Sequence, residues 1–185
     1  MERKDRGRYA FTAKKLCYTA VMVVVICLCA WLSIPVGDIP ITLQTLGICL
    51  AVGLLGWKLG TLATLAYLTL GFVGVPVFSG FTGGVNKLLM PTGGYLIGFL
   101  LSALIIGVLT ERNQERLGWL IFGMAVGVLV CYAFGTVWFT LFIHNESVGL
   151  WTALITCVLP FIPFDLLKIL LASILVKKLS KKMKL

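Results

Sequence analysis

Charge is scarce in this chain. Only 12% of its 185 residues are Asp, Glu, Lys or Arg, and 59% are hydrophobic, where a soluble domain carries about 25% charge and roughly 45–50% apolar residues. A domain of this size needs polar side chains to coat its surface, and the shortage excludes a water-soluble fold. Histidine occurs once, at His144, beside Asn145 and Glu146; a lone imidazole offers no metal or catalytic cluster and reads as a loop residue. There is no G-x-x-x-x-G-K-S/T phosphate loop, no H-E-x-x-H and no G-x-S-x-G, so ATP hydrolysis by that route, metalloprotease and esterase chemistry have no visible machinery. The halves of the chain show no repeated broken-helix pattern, which argues against an ordinary secondary transporter. Six cysteines are present, Cys17, Cys27, Cys29, Cys49, Cys131 and Cys157, all in apolar stretches. They read as small buried residues rather than a disulfide framework, and Cys27 and Cys29, two apart, face opposite sides of a helix and make a poor metal clamp.

What the chain does have is long apolar runs. Six spans are expected, at about 16–35, 41–56, 59–77, 93–110, 118–143 and a last one ending near 176, each of a length suited to crossing a bilayer. The first is too long for a signal-peptide core, and Trp31 and Pro35 stand where a small-residue cleavage site would be. The net charge of +9 would raise the question of nucleic acid in a soluble protein, but the position of the charges excludes it. With six spans, 14 of the 16 Lys and Arg residues fall on one side: both tails, Lys58, Arg112 and Arg116. By the positive-inside rule that side is the cytoplasm. The expected architecture is an all-α membrane protein, a six-transmembrane-helix bundle with both termini cytoplasmic. It forms a single membrane domain, with a basic flank over 1–15, the bundle over 16–176 and a basic tail over 177–185.

Two features interrupt the apolar pattern. Eight of the 20 glycines lie between Gly71 and Gly98, with Pro76 and Pro91 among them. Such a stretch is not plain helix, and irregular backbone at membrane depth survives only where protein or a water-filled cavity surrounds it. It reads either as a structured outer loop over a substrate, between the third and fourth helices, or as an outer connection with small residues for tight helix packing. The second feature is Asp165 with Lys168, the only two of 23 formal charges not at a span end. Three apart, they share a helix face. Counted back from Lys177 they lie about 18 Å and about 13–14 Å into the membrane. Charges at that depth mark a substrate or ion path, against the alternative of an ion pair that only fixes packing. Pro163 suits a first helical turn, which puts Asp165 near the positive end of the last helix. Gln44 and Thr45 suit either a ligand or another helix, and Trp138 either a ring stack or the interfacial aromatic belt.

The strings SIPVGDIPITLQTLGICLAVGLLG (33–56), GVPVFSGFTGGVNKLLMPTGGYLIGF (74–99), FGTVWF (134–139) and PFIPFDLLK (160–168) together resemble the BioY family, the biotin-specific S-components of energy-coupling-factor (ECF) transporters. The resemblance is collinear and covers nearly the whole chain. It implies a membrane subunit that binds biotin for uptake, not an enzyme, with no cofactor and no metal. The partners it implies are a transmembrane coupling protein and two cytoplasmic ATP-binding subunits. By motif position, the implied pocket comprises Phe78, Ser79, Thr82, Gly83 and Gly84, then Thr92, Gly93, Gly94 and Tyr95, then Trp138, Asp165 and Lys168, with Gln44 and Asn86 as secondary candidates. The chain departs from the family pattern at Phe164, where Gly is usual. It departs again at Phe81, Asn86, Lys87 and Met90, in a loop where small residues are more usual. An S-component of the same architecture for another small vitamin is the alternative implied; a small membrane enzyme using Asp165 is the remote one.

Overall fold

The structure is a computed structural model that describes residues 2–34, 40–111, 113–142, 155 and 158–181. The connections expected at 36–40 and 144–150 therefore lie mostly or wholly outside the described residues, as do Arg112, His144, Cys157 and the end of the basic tail. The described chain is all-helical apart from one short ribbon: α1 (Glu2–Trp31), β1 (Ser33–Ile34), β2 (Ile41–Thr42), α2 (Gln44–Val73), a 3-10 turn (Val85–Lys87), α3 (Gly93–Thr110), α4 (Leu117–Phe142) and α5 (Ile162–Leu179). Stretches of four of these helices are long and apolar enough to cross a membrane, Ala13–Trp31, Gln44–Val73, Gly93–Thr110 and Leu117–Leu141. α5 carries Asp165, Lys168, Lys177 and Lys178 in its 18 residues. Helices suit this composition because every interior backbone group is satisfied within its own segment.

α2 is 30 residues long but is not straight. Gly56, at φ 78° and ψ 178°, breaks it, and the chain turns back on itself there. A Cβ on Gly60 would lie 2.4 Å from the Cα of Val52, and the Gln44 amide donates to the Tyr67 hydroxyl at 2.9 Å. In a straight helix those last two residues would be about 34 Å apart. Only a residue without Cβ adopts this φ cheaply. The arm over 44–55 is about 18 Å long, shorter than a bilayer core, and the β1–β2 ribbon, with Ser33 opposite Thr42 and Ile34 opposite Ile41, continues beyond it. The ribbon occupies Ile41–Thr42, where the apolar pattern predicts the start of the second span. The β-branched pair Ile41 and Thr42 suits a strand better than a helix there. α1 runs from Glu2, so the helix extends past its apolar stretch Ala13–Trp31 into the basic flank, where Lys, Arg and Ala are good helix formers.

α2 packs against α1, α3 and α5, and α4 packs against α3 and α5. The core runs through the middle of this arrangement, with Ile26, Ile48, Val52, Tyr67, Ile106, Leu120, Met124 and Val176 all fully buried. Leucines and valines also cover the outside, among them Leu16, Val24, Leu65, Val108, Leu129, Leu166 and Leu170, as a bilayer-facing surface requires. Cys27, Cys49 and Cys131 are buried as expected, whereas Cys17 is exposed on α1. The α3–α4 seam is close because small residues line it. A Cβ on Gly98 would meet Cys131 at 3.1 Å, and one on Gly127 would overlap Ile106 at 2.3 Å.

Candidate functional site

The connection from Gly74 to Thr92 is a structured loop. Gly74, in the left-handed conformation, ends α2, and Val75 N–H reaches back to Leu70 C=O at 3.1 Å. Phe78 N–H donates to Thr82 C=O at 2.9 Å, the Thr82 hydroxyl to Ser79 C=O at 2.9 Å, and Gly84 N–H to Gly71 C=O at 2.7 Å. Phe78 is buried edge-on against Tyr67 and Phe72, in a space that exists because residue 71 has no side chain: a Cβ there would lie 2.1 Å from the ring. Phe81, at φ 56°, is the one described non-glycine residue with positive φ. Its ring stacks on Trp31 at 5.0 Å, and the Trp31 indole N–H donates to Pro76 C=O at 2.9 Å. The end of α1 therefore clamps the loop at two points, and the stacking offsets the backbone strain.

Beneath the loop lies a cavity of about 250 Å³. Asp165 and Lys168 reach it from the first two turns of α5, where Pro163 stands in the opening turn and Asp165 N–H donates to Phe161 C=O at 2.9 Å. Both are deeply buried, at 4% and 5% exposure. The Lys168 ammonium contacts Asp165 Oδ1 at 2.6 Å. Thr45, from the start of α2, donates to the same oxygen at 2.9 Å, and Tyr132, from the middle of α4, donates to Oδ2. A carboxylate has about four lone-pair sites, so three are filled and one remains. Lys168 has three N–H donors, and one is engaged among the described residues. Among the described residues the floor thus presents one open acceptor site beside two open donors.

Eight of the residues singled out from sequence line this cavity: Gln44, Phe78, Ser79, Thr82, Thr92, Tyr95, Asp165 and Lys168. Gln44 does so with its amide nitrogen committed to Tyr67. Gly83, Gly84, Gly93, Gly94, Asn86 and Trp138 stand outside the lining. Three of those glycines are close approaches: an added Cβ would meet Val75 O at 2.4 Å from Gly83, Leu88 O at 2.2 Å from Gly93, and Trp138 Cβ at 2.1 Å from Gly94. Trp138 thus packs behind α3 and stacks on Phe134 at 6.4 Å, and Asn86 is exposed on the 3-10 turn. The lining also includes Pro40, Thr42, Thr45, Lys87, Met90, Leu96, Phe99, Val128, Cys131, Tyr132 and Phe161. Thr45 is among the residues that the sequence marks as suited to a ligand or another helix; Tyr132 is not, although a phenol hydroxyl in mid-span needs a partner and is in itself a signal.

Membrane-length helices around a cavity with largely apolar walls and a buried ion pair at its floor describe a helical membrane protein built to hold a small, partly polar molecule. The chain matches the model of the BioY family over residues 1–185, and it belongs to that family. It is 38% identical over 164 residues to the biotin transporter BioY of Thermotoga maritima, covering 89% of this chain and 92% of that one. It is 36% identical over 177 residues to the biotin transporter BioY of Lactococcus lactis subsp. cremoris, covering 91% and 92%. Its fold is similar to the crystal structure of the S-component for biotin from an ECF-type ABC transporter, with a TM-score of 0.83 and 35% identity over 93% of each chain.

Proposed function

We propose that this chain is the biotin-binding subunit of an ECF uptake system, a membrane binder rather than an enzyme, and that the cavity under the 74–92 loop is its ligand site. The observation that carries this reading is the floor of that cavity, where Asp165 offers one open acceptor site beside the open donors of Lys168. A cyclic urea presents N–H and C=O side by side and is complementary to that pattern. Phe78, Leu96, Phe99 and Val128 in the walls suit the apolar thioether ring and chain of biotin.

In this reading the whole chain is one membrane unit of six spans in the cell membrane, the two arms of α2 counting separately. Both termini face the cytoplasm and the 74–92 loop faces outward, supported by the 14 of 16 basic residues that this orientation gathers inside. The chain carries no nucleotide-binding motif, so energy comes from partners: a transmembrane coupling protein and two ATP-binding subunits. Titration of the purified chain with biotin tests the reading. Submicromolar binding is expected. A dissociation constant weaker than about 1 μM, equivalent to less than about 8 kcal/mol, or tighter binding of another small vitamin, overturns the biotin assignment.

A further inference from the structure

We propose that Lys87 determines specificity for the acid group of the ligand, so that the cavity selects a monoanion and holds its carboxylate under the loop, with the uncharged polar head on Asp165 and Lys168. This deepens the reading above and rests on it. Among the described residues, three charged side chains line the cavity: Lys87, Asp165 and Lys168. The last two are in contact at 2.6 Å and cancel. Lys87 is half-buried, and no carboxylate among the described residues pairs with it. The described lining therefore carries a net charge of +1, and a cation at an apolar-walled cavity attracts an anion more strongly than one in open water.

The same charges orient the ligand. An acid group at the floor would meet the Asp165 carboxylate, a like charge, and would compete with it for Lys168. At Lys87 it meets neither cost. The backbone that carries the lysine is fixed, because Lys87 N–H donates to Gly84 C=O at 3.1 Å and Leu88 N–H to Val85 C=O at 2.9 Å, closing the 3-10 turn that packs on α2. Thr92 and Tyr95, at the N-terminal turn of the 18-residue α3, line the same cavity and add the positive end of a helix to the same sign of field.

The test compares biotin with its methyl ester, which keeps the ring system and loses the charge, in wild type, Lys87→Gln and Lys87→Arg. Isothermal titration of each purified protein with each ligand gives an acid-over-ester preference. Lys87→Gln should lower that preference about tenfold, about 1.4 kcal/mol, with the loss falling on biotin, and Lys87→Arg should retain most of it. An unchanged preference in Lys87→Gln, or an equal loss for both ligands, overturns the role of Lys87 and leaves the biotin assignment standing. A wild-type protein that binds neither ligand overturns that assignment and this inference with it.

Discussion

The buried pair at the floor of the cavity separates a structural from a ligand-binding role through one double substitution. Lys168→Met leaves the Asp165 carboxylate in place but removes its 2.6 Å cationic partner, so the charge keeps only the neutral donors of Thr45 and Tyr132. Stranding a buried charge in this way costs about 3–5 kcal/mol. Adding Asp165→Asn removes the stranded charge while its amide oxygen still accepts from Thr45 and its amide N–H can donate to the Tyr132 hydroxyl oxygen. The double variant should return to within about 1 kcal/mol of wild-type stability, because replacing both members of a buried pair is close to neutral. Binding should not return. Each charge-assisted hydrogen bond to the ligand is worth about 1.5–3 kcal/mol, roughly 10- to 100-fold in dissociation constant, and the double variant loses both. The assays are equilibrium unfolding in mixed micelles and biotin titration of the same preparations. A double variant that binds biotin like the wild type refutes the reasoning and reduces the pair to helix packing. A Lys168→Met protein as stable as the wild type refutes the description of Asp165 as a carboxylate held out of water.

Three further substitutions address the parts that shape the site. Tyr132→Phe removes one donor to Asp165 with little change of volume, and biotin titration should show roughly a tenfold loss of affinity, in line with about 1.5 kcal/mol for a hydrogen bond to a charged group, while the thermal midpoint falls by only a few degrees. Gly60→Ala puts a Cβ 2.4 Å from backbone in the facing arm of α2, an overpacking that should cost about 1–3 kcal/mol in unfolding equilibria. Trp31→Ala removes both the stack on Phe81 and the hydrogen bond to Pro76; limited proteolysis should then cut within 74–92 faster than in the wild type, with cleavage elsewhere unchanged.

Charge in the wrong place was the most legible signal in the sequence. Asp165 and Lys168 stand out because the other charges sit at the ends of the apolar spans or in the connections between them, and the structure brings both into the cavity floor. The glycine and proline punctuation of 71–98 likewise marked the loop. Glycines say less about which atoms face a ligand, and Gly83, Gly93 and Gly94 turn out to be sites of close backbone or side-chain approach. Helix faces were the least legible. A helix apolar on all sides gives no periodic contrast between core and lipid, which is why Val128 and Phe99 gave no sign that they line one cavity. The fold-back at Gly56 was visible as Trp57-Lys58 between two apolar runs, but its contact partners were not, since Gly60 against Val52 depends on three-dimensional closure. The clamp of Trp31 on the loop joins residues 45 positions apart, and no local pattern encodes it.

The most direct measurement is a crystal structure of this chain with biotin bound. The account predicts the ligand in the cavity under the 74–92 loop, with a ureido nitrogen about 3 Å from an Asp165 carboxylate oxygen and the ureido oxygen facing Lys168. Biotin bound elsewhere, or bound in the cavity without contact to either residue, contradicts it.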